Sequence, residues 1–375
     1  LVTNRCVIMI LVLLVFVLAC GPLTWYMCEE HRPTSSYEID HVLWCAWLSF
    51  ASLIITLVLI PKVAPKCIKA NLFGRDINKN GKQKVPETLG IVSGIVCIMT
   101  VISLQWTFPG KLGEHNAALI SMCMMLLLGF CDDVLDLRWR DKLILSFVAT
   151  IPLLIGYTGE TTILIPKTVL RGLLGIDVYD LGAYYYLFMA NVVVFCTNSI
   201  NIYAGINGLE TGQSVVMAIF VLIHNCLQIG TGSEAQHVFS IFIMLPFLAT
   251  TLGLYNFNQY PSRVFVGDSF TYFSGMTFAV CGILGHFCKS LIIIFIPQII
   301  NFILSLPQLF HLIPCPRHRL PRYEPRDGKL YPTKNGTLIN LWLYIFGPTT
   351  ERALCIQLLA FQVFCCTVAL VVRNQ

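Results

Sequence analysis

Between Val42 and Val372 lie ten stretches, of sixteen to twenty-three residues each, that contain no Asp, Glu, Lys or Arg, and they leave the chain few ways to fold. About 20 apolar residues in a helix cross the hydrocarbon core of a bilayer, and a helix satisfies all of its own backbone hydrogen bonds there. The stretches run approximately over 42–60, 89–108, 116–131, 143–158, 182–202, 212–229, 238–254, 269–287, 291–313 and 353–372. Only 12% of the 375 residues are charged and 56% are hydrophobic, where soluble domains carry roughly 25% charged residues. A water-soluble globular enzyme is excluded. The expected fold is an all-α polytopic membrane protein of about ten transmembrane helices, forming one domain over 41–375. A further apolar run, Cys6 to Ala19, is followed by Gly21-Pro22 and a polar stretch to Asp40. Residues 1–40 are therefore set apart as an extension that reads as an extra span, a signal-peptide core or upstream sequence.

Charge then orients the bundle. The excess of 25 Lys+Arg over 20 Asp+Glu is mild and dispersed, which excludes nucleic acid as a partner. If the ten spans alternate, the loops 61–88, 132–142, 203–211, 255–268 and 314–352 share a side and hold 18 Lys/Arg, against five on the other. By the positive-inside rule these loops face the cytosol. The 16 cysteines sit mostly inside apolar runs and form no C-x-x-C, so they read as small apolar packing residues. His224, His286 and His311 read likewise as packing or interface residues.

The unusual polar clusters fall in those same loops. Asp132, Asp133 and Asp136 end the third stretch at spacings that share a helix face, so they could meet at a cation or be balanced by Arg138, Arg140 and Lys142. From Asn198 to Glu210 run three asparagines with Gly205 and Gly208, a composition that breaks a helix and offers amide oxygens to a hard cation or amide edges to a nucleobase. Inter-helical amide hydrogen bonds are the alternative. Asp268 follows Gly267 where the eighth stretch begins, placed to cap a helix or to bind metal. Pro314 to Arg322 presents Arg317, His318 and Arg319 between prolines, as a phosphate grip or as a cytosolic anchor. The loop from Asn71 to Asn78, with Glu87 beyond it, carries Gly74, Arg75, Asp76 and Ile77. Walker, H-E-x-x-H and G-x-S-x-G motifs are missing from the sequence. Carboxylates, amides and arginines on one membrane face suit magnesium-assisted phosphoryl transfer to a lipid.

On the strings GFCDDVLDLRWRDK (129–142), CTNSINIYAGINGLETGQS (196–214), YPSRVFVGDSF (260–270) and GMTFAVCGILGHF (275–287), the chain resembles the polyprenyl-phosphate N-acetylhexosamine-1-phosphate transferases of glycosyltransferase family 4. Arg317-His318-Arg319 is similar to their eukaryotic, tunicamycin-sensitive branch, which uses UDP-GlcNAc and dolichyl phosphate. The resemblance covers about residues 43–372. It implies a homodimeric enzyme in the endoplasmic reticulum bilayer with its active site in the cytosol. It also implies Mg²⁺ held by Asn201 and Asp268, with Lys142 and Arg319, and Arg317 nearby, offsetting phosphate charge. Gly205, Asn207 and Phe265 would hold uracil, aided by Gly74, Arg75, Asp76, Ile77 and Glu87. Trp139 and His318 would lie near the sugar. Asp132 and Asp133 would handle the acceptor phosphate or organise the site. The stretch from Leu320 to Thr337 is shorter than the family pattern.

Other readings fit less well. A prenyltransferase needs a second acidic motif facing the first, and Asp177 to Asp180 falls on the opposite side. A transporter would carry charges within its spans, and a CDP-alcohol phosphotransferase needs a D-G-x-x-A-R run that the sequence lacks. Asn335-Gly336-Thr337 matches a glycosylation sequon but falls on the cytosolic side.

Overall fold

The computed structural model describes residues 37–77, 83–107, 112–164, 178–229, 234–316 and 318–373. The apolar run from Cys6 to Ala19 and Arg317 lie outside them. Every one of the ten apolar stretches coincides with a helix or a helix pair. In chain order these are α1 (Tyr37–Lys69), α2 (Gly90–Leu104), α3 (Leu112–Leu135), α4 (Trp139–Ile155), α5 (Ala183–Ile202), α6 (Leu209–Gln228), α7 (Glu234–Asn258), α8 (Gly267–Leu284), the pair α9 (Cys288–Ile294) and α10 (Ile296–Leu309), and α12 (Glu351–Arg373). A short apolar helix that the sequence reading left inside a loop, α11 (Leu338–Phe346), precedes α12. Two-stranded antiparallel hairpins join β1 (Phe73–Arg75) to β2 (Lys84–Pro86), β3 (Thr162–Leu164) to β4 (Val178–Asp180), and β5 (Arg322–Glu324) to β6 (Lys329–Tyr331).

Six of the described helices are long and apolar enough to cross a membrane, or seven if the bent pair α9–α10 counts as one span. The chain is thus a multi-pass membrane protein, and three expected spans fall short of that test for physical reasons. Helices α2 and α4 have only 15 and 17 residues. Helix α8 carries Asp268, Ser269, Thr271, Tyr272, Ser274 and Thr277, and it can do so because every residue from Ser269 to Leu284 is buried. Helices α2, α3, α5 and α7 surround it, so its hydroxyls meet protein rather than lipid.

Two glycines set how closely that core packs. A Cβ on Gly129 of α3 would lie 2.4 Å from the Asp268 carbonyl oxygen, and one on Gly275 of α8 would lie 2.3 Å from the Cys196 carbonyl oxygen of α5. Backbone therefore meets backbone on two sides of α8, as small residues permit in membranes. Aromatic contacts of Phe247 with Phe270, Phe273 and Phe278 fill the α7 side.

The ninth stretch is bent by 69°. Phe295 is where the helix breaks, and Pro297 stands in the first turn beyond, a position that suits proline because it lacks an N–H. Buried amides tie this break to its neighbours: Gln298 Nε2 donates to Gln213 Oε1 of α6 at 2.7 Å and to Gln362 Oε1 of α12 at 2.8 Å. Gln213 in turn donates to the Tyr203 carbonyl at 2.9 Å. A second hydrophobic cluster, including Tyr203, Ile206, Leu209, Leu330, Leu338, Ile339 and Leu354, packs the turn between α5 and α6 against β6, α11 and α12.

Candidate active site

One end of the bundle gathers the polar loops. The chain breaks out of α5 after Ile202, and Gly205 and Gly208 adopt φ values of 123° and 83° before α6 begins. Two carboxylates hold this turn. Glu210 Oε1 accepts from the Gly205 N–H at 3.1 Å, and Glu351 Oε1, from the first turn of α12, accepts from the Asn207 N–H at 2.8 Å. The Asn207 side-chain amide donates to Asp76 Oδ2 at 2.9 Å.

The β1–β2 hairpin is docked onto the segment before α8. The Phe265 N–H donates to the Pro86 carbonyl at 2.8 Å, and the Leu89 and Gly90 N–H groups donate back to the carbonyls of Phe265 and Val266. This brings the Phe265 ring against Gly74, where a Cβ would lie 2.9 Å from the ring. Between these parts lies a cavity of about 500 Å³ lined by Gly74, Arg75, Asp76, Ile77, Glu87, Asn201, Gly205, Asn207, Phe265, Asp268 and His318. Eleven of the residues singled out in the sequence thus face one space. Glu210, Asn258, Thr271 and Leu320 also line it. The sequence reading singled out none of these as site residues. Glu351, which supports the turn, was likewise missed.

Beside the cavity stand the carboxylates of α3. Asp132 is buried, and its Oδ2 meets Lys142 Nζ of α4 at 2.7 Å and accepts from the Tyr272 hydroxyl at 3.0 Å, while its Oδ1 accepts from the Leu137 N–H at 3.0 Å. Lys142 Nζ lies 3.9 Å from Asp268 Oδ2. Asp133 caps the first turn of α8, its two oxygens accepting from the Asp268 N–H at 2.6 Å and the Ser269 N–H at 3.2 Å. A cap of this kind also places negative charge at the positive end of a helix. Asp268 itself makes no cap hydrogen bond. With its N–H held by Asp133, its carboxylate is free to face the cavity, where Oδ1 lies 2.5 Å from the Asn201 amide.

The expected convergence of Asp132, Asp133 and Asp136 does not form. Helix α3 ends at Leu135, and Asp136 takes a φ of 50° and is exposed. Trp139 begins α4, is 56% exposed, and lies outside the cavity lining. Arg319 is half-buried next to His318, with its backbone carbonyl accepting from Asn340 Nδ2 at 3.2 Å. Its Nη1 is buried and has no hydrogen-bond partner among the described residues, and burial lowers the pKa of its guanidinium. Asp180, of the second acidic motif, accepts from the Gly182 N–H at 2.9 Å and from Thr161, which commits it to the β3–β4 hairpin.

Among the described residues, no group of three His, Cys, Asp or Glu side chains is arranged to hold a metal. A carboxylate and an amide side by side, Asp268 and Asn201, are what remains. Both offer hard oxygens, since the Asn201 amide can turn its oxygen toward the carboxylate's partner. A Mg²⁺ held jointly with substrate phosphates takes few protein ligands, so this donor set fits that ion.

These features define a polytopic helical membrane protein with a polar cleft where its loops meet. The model of glycosyl transferase family 4 matches residues 115–286. The chain is 50% identical over 359 residues to the UDP-N-acetylglucosamine--dolichyl-phosphate N-acetylglucosaminephosphotransferase of Dictyostelium discoideum, covering 87% of this chain and 88% of that one. It is 39% identical to the protein of the same name from Saccharomyces cerevisiae, over 84% and 87% of the two chains. Similarity extends, at 27% identity over 71% of this chain and 86% of the other, to the phospho-N-acetylmuramoyl-pentapeptide-transferase of Caldicellulosiruptor bescii. The chain belongs to glycosyl transferase family 4.

Proposed function

We propose that this protein transfers GlcNAc-1-phosphate from UDP-GlcNAc to dolichyl phosphate, giving dolichyl-diphosphate-GlcNAc and UMP, the first step of N-glycan precursor assembly. The observation that carries the reading is the meeting, in one cleft, of Asn201 and Asp268 with the Asn207 turn and the Gly74 hairpin, with Lys142 beside it at 3.9 Å from Asp268. Relatives bearing that enzyme name align over most of their own length, and they support the choice of donor and acceptor.

Asn201 and Asp268 are the residues that would hold Mg²⁺, which supplies charge neutralisation on the diphosphate. Asn207, Gly205 and Phe265 hold the nucleoside end. Lys142, neutralised in part by Asp132, presents its ammonium toward the same carboxylate edge. The buried, unpartnered Nη1 of Arg319 is suited to a phosphate oxygen, because a desolvated donor without a partner costs about 1–3 kcal/mol until one arrives. Asp132 and Asp133 act as organising groups, since every oxygen of both already accepts a hydrogen bond or ion pair.

The acceptor needs little help to become a nucleophile. A phosphomonoester has a second pKa of about 6, so a dolichyl phosphate oxygen is already largely ionised near neutral pH. That oxygen attacks the β-phosphorus, the bond from that phosphorus to the bridging oxygen breaks, and UMP leaves with the electron pair. In this reading α2, α4 and α8 also cross the bilayer, giving ten spans. The cleft then faces the cytosol from the endoplasmic reticulum membrane, and the working form is a homodimer.

Membranes containing the protein, given UDP-GlcNAc and dolichyl phosphate, are expected to release UMP in a manner abolished by EDTA, restored by Mg²⁺ and blocked by tunicamycin. UMP remaining at background would overturn the assignment.

A further inference from the structure

Helix α10 carries three buried polar side chains, Asn301, Ser305 and Gln308. Spacings of four and three residues put them on one face of the helix, and each bonds to the segment that brackets His318 and Arg319. Gln308 Nε2 donates to the Pro314 carbonyl at 3.0 Å, and its Oε1 accepts from the Gly336 N–H at 3.0 Å. Ser305 Oγ donates to the Gly336 carbonyl at 3.0 Å. Asn301 Oδ1 accepts at 2.8 Å from the N–H of Leu338, the first residue of α11. Two residues on, Asn340 Nδ2 reaches the Arg319 carbonyl, and Asn340 Oδ1 accepts from the Thr333 N–H at 2.8 Å. The Arg319 segment is thus laid against one face of α10.

Asn301 also reaches α5. Its Nδ2 donates to the Ile202 carbonyl at 3.1 Å, one residue beyond Asn201, whose amide faces Asp268. A carbonyl can only accept and an N–H can only donate, so these two partners fix which way the Asn301 amide turns. The bonds span 99 and 37 positions of sequence, so neither is set by a local turn. One side chain, outside the cavity lining, thereby joins the end of the helix that carries Asn201 to the start of the helix that holds the Arg319 backbone.

We propose that Asn301 is a positioning residue for the transfer: its amide sets the separation between the Asn201–Asp268 pair and the Arg319 segment, so that both sides engage one diphosphate. This rests on the nucleotide-sugar reading above and extends it to a side chain that touches no substrate. Phosphoryl transfer depends mainly on placing charges and donors, and a displacement of about 1 Å can cost on the order of 100-fold in rate.

Three variants test it. Asn301→Leu keeps the approximate volume and removes both bonds. Leu338→Pro removes only the N–H that Asn301 accepts. Proline suits the first position of a helix, and Thr337 already has the extended backbone, φ −131° and ψ 153°, that a residue before proline adopts. Leu338→Ala is the control, because it too loses side-chain contacts but keeps the N–H. The purified full-length proteins are assayed for UMP release from UDP-GlcNAc and dolichyl phosphate per folded molecule, and for equilibrium binding of UMP, which lacks the β-phosphate. Asn301→Leu and Leu338→Pro are expected to lower kcat about tenfold or more while UMP affinity changes by less than about threefold, and Leu338→Ala to keep kcat within about threefold of the wild type. Equal kcat for Leu338→Pro and Leu338→Ala overturns the proposal. So does a loss confined to the yield of folded protein, or UMP binding that falls in step with kcat. If Asn301→Leu is not recovered folded, the comparison of proline with alanine decides by itself. Wild-type turnover with unaffected variants sinks this inference alone, whereas absence of UMP release by the wild type sinks the reading on which it rests.

Discussion

Two neighbouring aspartates that look equivalent in the sequence have unrelated partners. Asp132 faces a lysine, a tyrosine hydroxyl and a backbone N–H, while Asp133 holds the start of another helix through two N–H groups. Asp133→Asn keeps the shape but turns a donor toward one of those N–H groups, leaving a buried donor unsatisfied. That is expected to cost about 1–3 kcal/mol, read as a lower midpoint of thermal unfolding. An unchanged midpoint would mean that the cap carries no stability. The residues lining the cleft were largely legible because asparagines, glycines and aspartates stand out against an apolar background. Glu210, Asn258 and Glu351 were not. Glu210 and Glu351 hold the 203–208 turn and Asn258 the loop before α8, Glu351 across 144 positions of sequence, and a lone acidic residue at a helix start reads as a dipole partner or a solvated charge.

At the scale of elements, apolar continuity located the helices, and it was blind to what interrupts them. The ninth stretch reads as one span, yet it is two helices at 69°, and Pro297 was its only local signal. Pro61 and Pro65 in α1 leave that helix continuous, so proline by itself does not decide. Helix α11 was hidden inside a loop defined by charge. Gly129 makes the closest element-level claim open to test. Gly129→Ala would put a methyl 2.4 Å from the Asp268 carbonyl oxygen, so α3 and α8 must separate or shift. Overpacking of this kind costs about 1–3 kcal/mol, and it acts on the residue that faces Asn201. Activity is therefore expected to fall more steeply than the amount of folded protein, as measured by turnover per correctly folded molecule in size-exclusion fractions. Equal losses in both would argue that the contact serves stability alone.

For the whole molecule, the alternation of loops carried the most information. The loops after α1, α3, α5, α7 and α10 were grouped by the alternation of spans and oriented by counting basic residues, and it is these loops, or residues beside them, that border the cleft. The orientation proposed from that count puts Asn335 in the cytosol. Its side chain is also engaged, donating to Thr333 Oγ1 at 2.8 Å and accepting from Gln308 Nε2 at 3.0 Å. Asn335 is expected to carry no glycan, and a mass shift there on glycosidase treatment would reverse the orientation of the entire bundle.

The enclosure of α8 bears on how such a chain is made. A segment this rich in hydroxyls, with an aspartate near its start, is poorly suited to leave the ribosome and settle among acyl chains unaided. Its surrounding helices α2, α3, α5 and α7 are all encoded before it, so at the moment of its synthesis a protein-lined slot can already be waiting. Moving that segment toward the beginning of the gene would ask it to enter the membrane without its hosts.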